Sequence, residues 1–208
     1  MKEHLNTLIN VYLKEHKDIA DNFPKASVIR LVEMVFATYK NGGEVFVMGN
    51  GGGADHASHF ASDLGMHPFV SEDKSKGSNL HRLQVHCLND SNGLLTRIAN
   101  DMGYHCVFVE QLKCYCPTVR DLVIAFSVSG NSPNIVDALE YSKICGATTC
   151  CIGKGGKARD IVNISIEIPG SSTFPGQVGK NDNYFHIEDF QGTIAHMVTG
   201  LLKEYVNG

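Results

Sequence analysis

The sequence predicts an α/β protein, in which a mainly parallel sheet of five strands is flanked by helices and preceded by two further helices. The first observation is that short apolar runs alternate with segments of helical periodicity along most of the 208 residues. Such alternation is typical of a parallel sheet with helices on both faces. The second is that two runs rich in glycine, serine and asparagine directly follow buried strands. Ligands bind at the carboxyl ends of strands in sheets of this kind.

The two leading helices are predicted from apolar residues that recur at intervals of three and four. This spacing extends over residues 3–22 and again over residues 25–40. Asn41, Gly42 and Gly43 follow the second segment, and such residues commonly end a helix.

The remaining elements alternate between strand and helix. In chain order we expect a strand at 44–48, a helix at 53–65, a strand at 83–88, a helix at 91–102, a strand at 122–127, a helix at 133–145, strands at 148–152 and 161–168, and a last helix at 183–206.

Composition limits the kind of partner. Apolar residues make up 43% of the chain and charged residues 19%, with a formal net charge of −4 and no basic stripe, so we expect no nucleic acid partner. No apolar run is long enough to cross a bilayer, so we expect no membrane association. The start of the chain lacks the apolar core of a signal peptide. Seven cysteines without metal-type spacing favour reduced thiols, and we expect a cytoplasmic protein.

The most informative stretch is the glycine loop, defined as residues 49–53. It follows an apolar strand, and four of its five residues are glycine, so backbone N–H groups can turn towards an anion. The helix that follows adds the positive end of its dipole. His59 and Asp63 are four residues apart on that helix and share one face. Together these features indicate an enzyme that acts on a small phosphorylated molecule.

A second candidate anion site is the serine loop, defined as residues 127–134. Its hydroxyl groups at Ser127, Ser129 and Ser132 can converge on phosphate oxygens, and Pro133 suits the first turn of the following helix. The alternative is that serine and asparagine only cap that helix. Two such loops at strand ends of one sheet favour a ligand over capping.

The residues Gly49-Asn50-Gly51-Gly52 and Ser127-Val128-Ser129-Gly130-Asn131-Ser132 together resemble the SIS (sugar isomerase) family, and within it the phosphoheptose isomerases. Those enzymes convert sedoheptulose 7-phosphate into a heptose phosphate. The resemblance extends over nearly the whole chain. It implies one flavodoxin-like SIS domain over residues 1–208, in which 1–41 form a helical pair used in oligomerisation and 42–208 form the α/β core. It also implies a homotetramer whose active sites are completed by neighbouring subunits.

The resemblance assigns roles to individual residues. It implies a zinc ion held by His59, Asp63, Glu188 and His196, with Asp63 also the catalytic base and His196 also the general acid. The implied substrate and phosphate contacts are Asn50, Gly51, Gly52, Gly53, Asp101, Ser127, Ser129, Ser132 and Glu188.

The residues alone leave plainer alternatives open. His59 and Asp63 have the spacing of an ordinary surface pair. Glu188 and His196 lie eight residues apart on the last predicted helix. The alternative is that Glu188 is a solvated residue on the surface of that helix and His196 is a histidine of the core. Lys154 is either an anion contact or a solvated lysine, and Lys180 is a candidate substrate contact from a neighbouring subunit.

At five positions the sequence departs from the residue usual in the resembled family. Gly53 replaces serine, Asp63 glutamate, Val128 threonine, Phe185 aspartate and Glu188 glutamine. Two alternative functions therefore remain. One is an isomerase for a different sugar phosphate, and the other is a non-catalytic SIS protein that binds a protein partner such as DnaA.

Overall fold

A computed structural model of the chain describes residues 1–177, 179 and 182–207; the candidate contact Lys180 lies outside this range. The helices are α1 (Lys2–Asp21), α2 (Lys25–Lys40), α3 (Gly52–Met66), α4 (Asn92–Asp101), α5 (Val109–Tyr115), α6 (Pro133–Ile144), α7 (Ala158–Ile161) and α8 (Tyr184–Asn207). The strands are β1 (Glu44–Gly49), β2 (Gln84–Cys87), β3 (Leu122–Ser127), β4 (Thr148–Gly153) and β5 (Ile164–Glu167).

The five strands form one sheet in the order β2-β1-β3-β4-β5, and every neighbouring pair is parallel. The predicted α/β fold with two leading helices is confirmed. Gly49 lies opposite Phe126, and Ser127 lies opposite Gly153, so β1, β3 and β4 end at the same edge. The strand order reverses between β1 and β3, which is where doubly wound sheets bind ligands. The glycine loop and the serine loop leave the sheet on either side of this point.

Helices cover both faces of the sheet. Alternate side chains of β1 enter two separate apolar clusters: Val45 and Val47 pack with residues of α2, α3 and α8, whereas Phe46 and Met48 pack with residues of α4, α5 and α6. The near-continuous apolar runs of β1 and β3 follow from this burial on both faces. Helices α3 and α8 contact each other on one face, so their side chains can form a joint site.

The structure differs from the sequence prediction in two short helices and one strand boundary. Helices α5 and α7 were not predicted, because seven and four residues are too few to display a clear apolar period. The strand predicted at 161–168 begins only at Ile164. Ile161 ends α7, and Asn163 exchanges hydrogen bonds with Thr149 just before pairing starts.

The structure bears on two expectations drawn from composition. No helix within the described residues is long and apolar enough to cross a membrane. All seven cysteines are free thiols; Cys150 and Cys151 are buried as expected, but Cys114 and Cys116 are exposed.

Candidate functional site

The glycine loop turns sharply into the first residue of α3. Gly51 has φ +55°, a conformation that favours glycine, and it has no side chain with which to cap the helix. Gly53 packs against the end of β3, where an added Cβ would lie 2.5 Å from the carbonyl oxygen of Phe126. The start of α3 therefore sits directly on the sheet edge.

Asn50 connects this loop to its surroundings. Its side-chain amide exchanges two hydrogen bonds with that of Asn134, and its Oδ1 accepts a third from the Tyr104 hydroxyl at 2.8 Å. Asn89 exchanges two more with the backbone of Gly49. The sequence interpretation selected Asn50 but missed the other three side chains. Asn134 could have been found, because it belongs to the serine loop; Tyr104 and Asn89 carried no local signal.

In the serine loop, two hydroxyl oxygens organise the backbone. Ser127 Oγ accepts a hydrogen bond from the N–H of Gly130, and Ser129 Oγ accepts one from the N–H of Asn131, both at 3.2 Å. Their O–H groups can still donate to a ligand. Ser132 precedes α6, yet within the described chain its side chain makes no capping hydrogen bond. Capping of α6 therefore does not explain the hydroxyl group of Ser132, which remains available to a ligand.

The loop after β4 supports the serine loop. The N–H of Lys154 donates to the carbonyl oxygen of Val128 at 2.8 Å. The Lys154 ammonium group donates to the backbone oxygen and the carboxylate of Asp182, at 2.9 and 3.1 Å. Lys154 thus joins this edge of the sheet to the residues just before α8 through both its backbone and its side chain.

Helices α3 and α8 bring three of the four predicted metal ligands together. His59 Nε2 lies 3.2 Å from Asp63 Oδ2, and the His59 and His196 rings meet edge to face with centroids 5.1 Å apart. Each of the three residues offers one ligand atom, and these atoms lie within 4.8 Å of one another. Two imidazole nitrogens and one carboxylate oxygen form a donor set that suits zinc. His59 and His196 are exposed, so a ligand can reach the group from solvent.

A small cavity adjoins this group. Its volume is about 190 Å³, and it is lined by Asp63, His67, Lys74, His196, Thr199 and Gly200. Lys74 adds a positive charge to the lining of this cavity, which favours an anionic ligand.

Glu188 lies elsewhere. Among the described residues it is not a member of the group at His59, and its carboxylate instead lies beside the glycine loop. A Cβ on Gly52 would lie 2.8 Å from Glu188 Oε1. Burial, followed by the charges of Asp189 and Asp55, raises the pKa of Glu188. A carboxylate already occupies the neighbourhood of this helix start.

Asp101 and His56 lie outside the His/carboxylate group. Asp101 is the exposed last residue of α4; it accepts a hydrogen bond from Asn100 and lies 3.7 Å from Arg97 Nε. His56 fits between α3 and α8, where its ring would be 3.3 Å from a Cβ on Gly192. Burial lowers the pKa of His56, which favours the neutral imidazole.

The fold and the site together define an α/β protein with a ligand-binding strand edge and a His/carboxylate group between two helices. Comparison with protein families gives a match to the SIS domain over residues 11–153, and the chain belongs to this family. Two curated relatives named phosphoheptose isomerase are similar over most of their length. The protein from Trichlorobacter lovleyi is 35% identical, covering 88% of this chain and 84% of the relative. The protein from Geobacter metallireducens is 30% identical, covering 96% and 98%. The predicted resemblance is thereby confirmed, as is the predicted enzyme class, an isomerase.

Solved structures confirm the fold. A phosphoheptose isomerase from Francisella tularensis superposes with a TM-score of 0.78 at 19% identity and covers 97% of each chain. A phosphoheptose isomerase from Neisseria gonorrhoeae gives 0.72, also at 19% identity, and covers 98% of this chain and 96% of that one.

Proposed function

We propose that this protein is an aldose–ketose isomerase of sugar phosphates, and that its substrate is sedoheptulose 7-phosphate, converted to D-glycero-D-manno-heptose 7-phosphate. The main support is the joint arrangement of two loops at one strand edge with a His/carboxylate group on the adjoining helices. The names of the relatives support the choice of a heptose phosphate.

The serine loop is the proposed seat of the phosphate. Its serine O–H groups remain available to donate, and α6 begins at its end, so the helix dipole favours an anion there. The glycine loop is less suitable, because the carboxylate of Glu188 lies beside Gly52 and would repel a phosphate. We therefore assign the glycine loop and Asn50 to the sugar hydroxyl groups, and Asp101 to the periphery of the substrate.

His59, Asp63 and His196 would hold a zinc ion. Glu188 is the proposed fourth ligand; its carboxylate lies beside Gly52 in this structure, so its side chain would have to turn towards the ion. Such an ion, when bound, polarises a carbonyl group and stabilises developing negative charge on its oxygen. The replacement of the family's glutamine by Glu188 adds a negative charge, which strengthens the attraction to a dication.

Asp63 is the proposed base. Its carboxylate removes a proton from carbon 1 of the ketose, an enediolate forms, and the same carboxyl group returns a proton to carbon 2. His196 would move the second proton, giving one to the oxygen on carbon 2 and accepting one from the oxygen on carbon 1. Positioned acid–base groups of this kind contribute about 10²–10⁴-fold each to a rate.

A homotetramer with shared active sites is the proposed assembly, with residues 1–41 at the contact between chains. Its support is an apolar stripe on α1, where Leu5, Ile9 and Leu13 are 50%, 55% and 61% exposed. Exposed apolar side chains at this regular spacing are typical of a helix that packs against a partner. Native mass spectrometry should give four chains, and Ile9→Glu should reduce that number because it places a charge within the stripe.

We further propose that the protein acts in the cytoplasm.

The experiment that tests the function is incubation with a panel of ketose and aldose phosphates, followed by NMR. We expect interconversion of sedoheptulose 7-phosphate and none of unphosphorylated sedoheptulose. Turnover of a different sugar phosphate alone would leave the isomerase chemistry but overturn the heptose assignment. No conversion of any sugar would favour the non-catalytic alternative, a protein that binds a partner such as DnaA.

A further inference from the structure

A second group of metal-type side chains joins α1 to α8. His16 on α1 and His186 and Asp189 on α8 each offer one ligand atom, and these atoms lie within 4.8 Å of one another. His16 is partly buried, His186 is fully buried and Asp189 is exposed. None of the three belongs to the isomerase site proposed above.

Both imidazoles carry a nitrogen that the protein leaves without a partner. The Nδ1 atoms of His16 and His186 are buried, and neither has a hydrogen-bond partner among the described residues. His16 Nδ1 lies 3.7 Å from Asp189 Oδ2, which is too long for a hydrogen bond. A buried polar atom without a partner is costly, and one explanation for such an atom is an ion that it would bind.

The other nitrogen of His186 is held by a carboxylate. His186 Nε2 lies 3.2 Å from Glu15 Oε2. Glu15 also accepts hydrogen bonds from the Ser172 hydroxyl and from the backbone N–H and hydroxyl of Thr173, which hold its carboxylate in place. When Glu15 Oε2 accepts the N–H at Nε2, the free lone pair of the His186 ring lies on Nδ1. Metal-binding histidines are usually oriented by a carboxylate in this way.

Tyr12 supports the group from the other side. Its hydroxyl donates to Asp189 Oδ2, and its ring stacks on that of His186 with centroids 4.1 Å apart. The carboxylate and one imidazole are therefore both fixed before any ion binds.

We propose that His16, His186 and Asp189 form a second divalent-cation site, of the zinc class, which fastens α1 to the start of α8. Two nitrogens and one oxygen match the ligand preference of zinc and leave a fourth position for water. Ligands of a tetrahedral zinc at about 2.0–2.1 Å lie roughly 3.4 Å from one another, so small side-chain rotations complete the site. Glu188, whose carboxylate lies beside Gly52, stands between His186 and Asp189 in the sequence. An ion bound to those two residues would therefore also restrict the movement of Glu188.

The test is zinc binding by the metal-stripped full-length protein, measured by elemental analysis after dialysis. We expect two ions per chain for the unaltered protein and one for His16→Gln and Asp189→Asn. The matched control is His4→Gln, an exposed histidine on the same helix, which should retain two. His59→Gln removes a ligand from the group on α3 and should also retain one ion, the one at His16. Zinc counts for the two sets of variants therefore show separately whether each site binds an ion.

Thermal unfolding provides a second readout. Zinc should raise the melting temperature of His59→Gln but not that of the double variant His59→Gln/His16→Gln. If His16→Gln does not fold, Asp189→Asn decides, since Asp189 is exposed. Equal zinc content in the unaltered protein, His16→Gln and Asp189→Asn would overturn the proposal. A cobalt-loaded protein in which the second ion shows thiolate charge-transfer absorption would also overturn it.

Discussion

Asn50 and Asn134 exchange two hydrogen bonds across the point where the strand order of the sheet reverses. Asn50 Nδ2 donates to Asn134 Oδ1 at 3.0 Å, and Asn134 Nδ2 donates to Asn50 Oδ1 at 2.9 Å. Asn50 follows β1 and Asn134 lies in the first turn of α6, after β3. The pair therefore fixes the separation between the glycine loop and the serine loop, and hence the span available to a sugar phosphate.

Replacing Asn134 by alanine should lower the stability of the protein and raise its KM for the sugar phosphate. Asn134 is 2% exposed, and its loss leaves the part-buried amide N–H of Asn50 without this acceptor. Leaving a buried polar group unsatisfied costs about 1–3 kcal/mol. Urea unfolding measures the loss of stability, and a rise in KM for the sugar phosphate reports the change in loop spacing. Tyr104→Phe is the control: it removes one hydrogen bond from Asn50 and should cost less. An Asn134→Ala enzyme with unchanged stability and KM would contradict the assigned role.

Asp63→Asn should abolish most turnover while leaving binding of the sugar phosphate measurable. The amide has nearly the same shape but cannot accept the carbon-bound proton, so the rate should fall by about 10²–10⁴-fold. Calorimetric titration measures binding, and NMR measures turnover. Asp160→Asn, an exposed carboxylate on α7, is the control and should behave as the unaltered protein. Retained turnover in Asp63→Asn would remove Asp63 from the mechanism.

Gly53→Ala should destabilise the protein. The added Cβ would lie 2.5 Å from the Phe126 carbonyl oxygen, so β3 or α3 must shift. Overpacking of this kind costs about 1–3 kcal/mol. Gly93→Ala is the comparison, because among the described residues no heavy atom lies within 4 Å of its Cβ position. Urea midpoints should fall for Gly53→Ala and change little for Gly93→Ala; the reverse order would show that the loop packs differently.

The cysteines should react with alkylating reagents at two different rates, fast where the thiol is exposed and slow where it is buried. Cys114 and Cys116 are exposed, whereas burial raises the pKa of Cys87 and of Cys151 to about 12. Because the thiolate is the reactive form, buried thiols react slowly at mildly alkaline pH.

Mass spectrometry of peptides from native protein after brief alkylation should find the label at Cys114 and Cys116 first. Labelling of Cys150 or Cys151 at the same rate in folded protein would contradict the buried positions of these residues.

Much of the fold could be predicted from the sequence because the strongest patterns are long. The apolar runs of β1 and β3 are buried on both faces, and the leading helices span several turns, so their periods are clear. Helix α7 and the start of β5 could not be separated, since Ile161 and Ile164 are equally apolar. Only the pairing of Asn163 with Thr149 determines where the strand begins.

The site could be predicted only in part. Helical spacing brings Asp63 to His59, but the approach of His196 depends on how α8 packs on α3, which the local sequence does not encode. For the same reason no local pattern indicates that the Glu188 carboxylate lies beside Gly52. The group at His16 was missed because its members come from opposite ends of the chain.

The most direct test of the proposed function is proton exchange during turnover in deuterated water. With sedoheptulose 7-phosphate as substrate, NMR should detect deuterium at carbon 2 of the aldose product, because the carboxyl group of Asp63 exchanges its proton with solvent. Asp63→Asn should form product and incorporate deuterium about 10²–10⁴-fold more slowly. Formation of the aldose by the unaltered protein with no deuterium at carbon 2, or by Asp63→Asn at an undiminished rate, would contradict the proposed proton transfer.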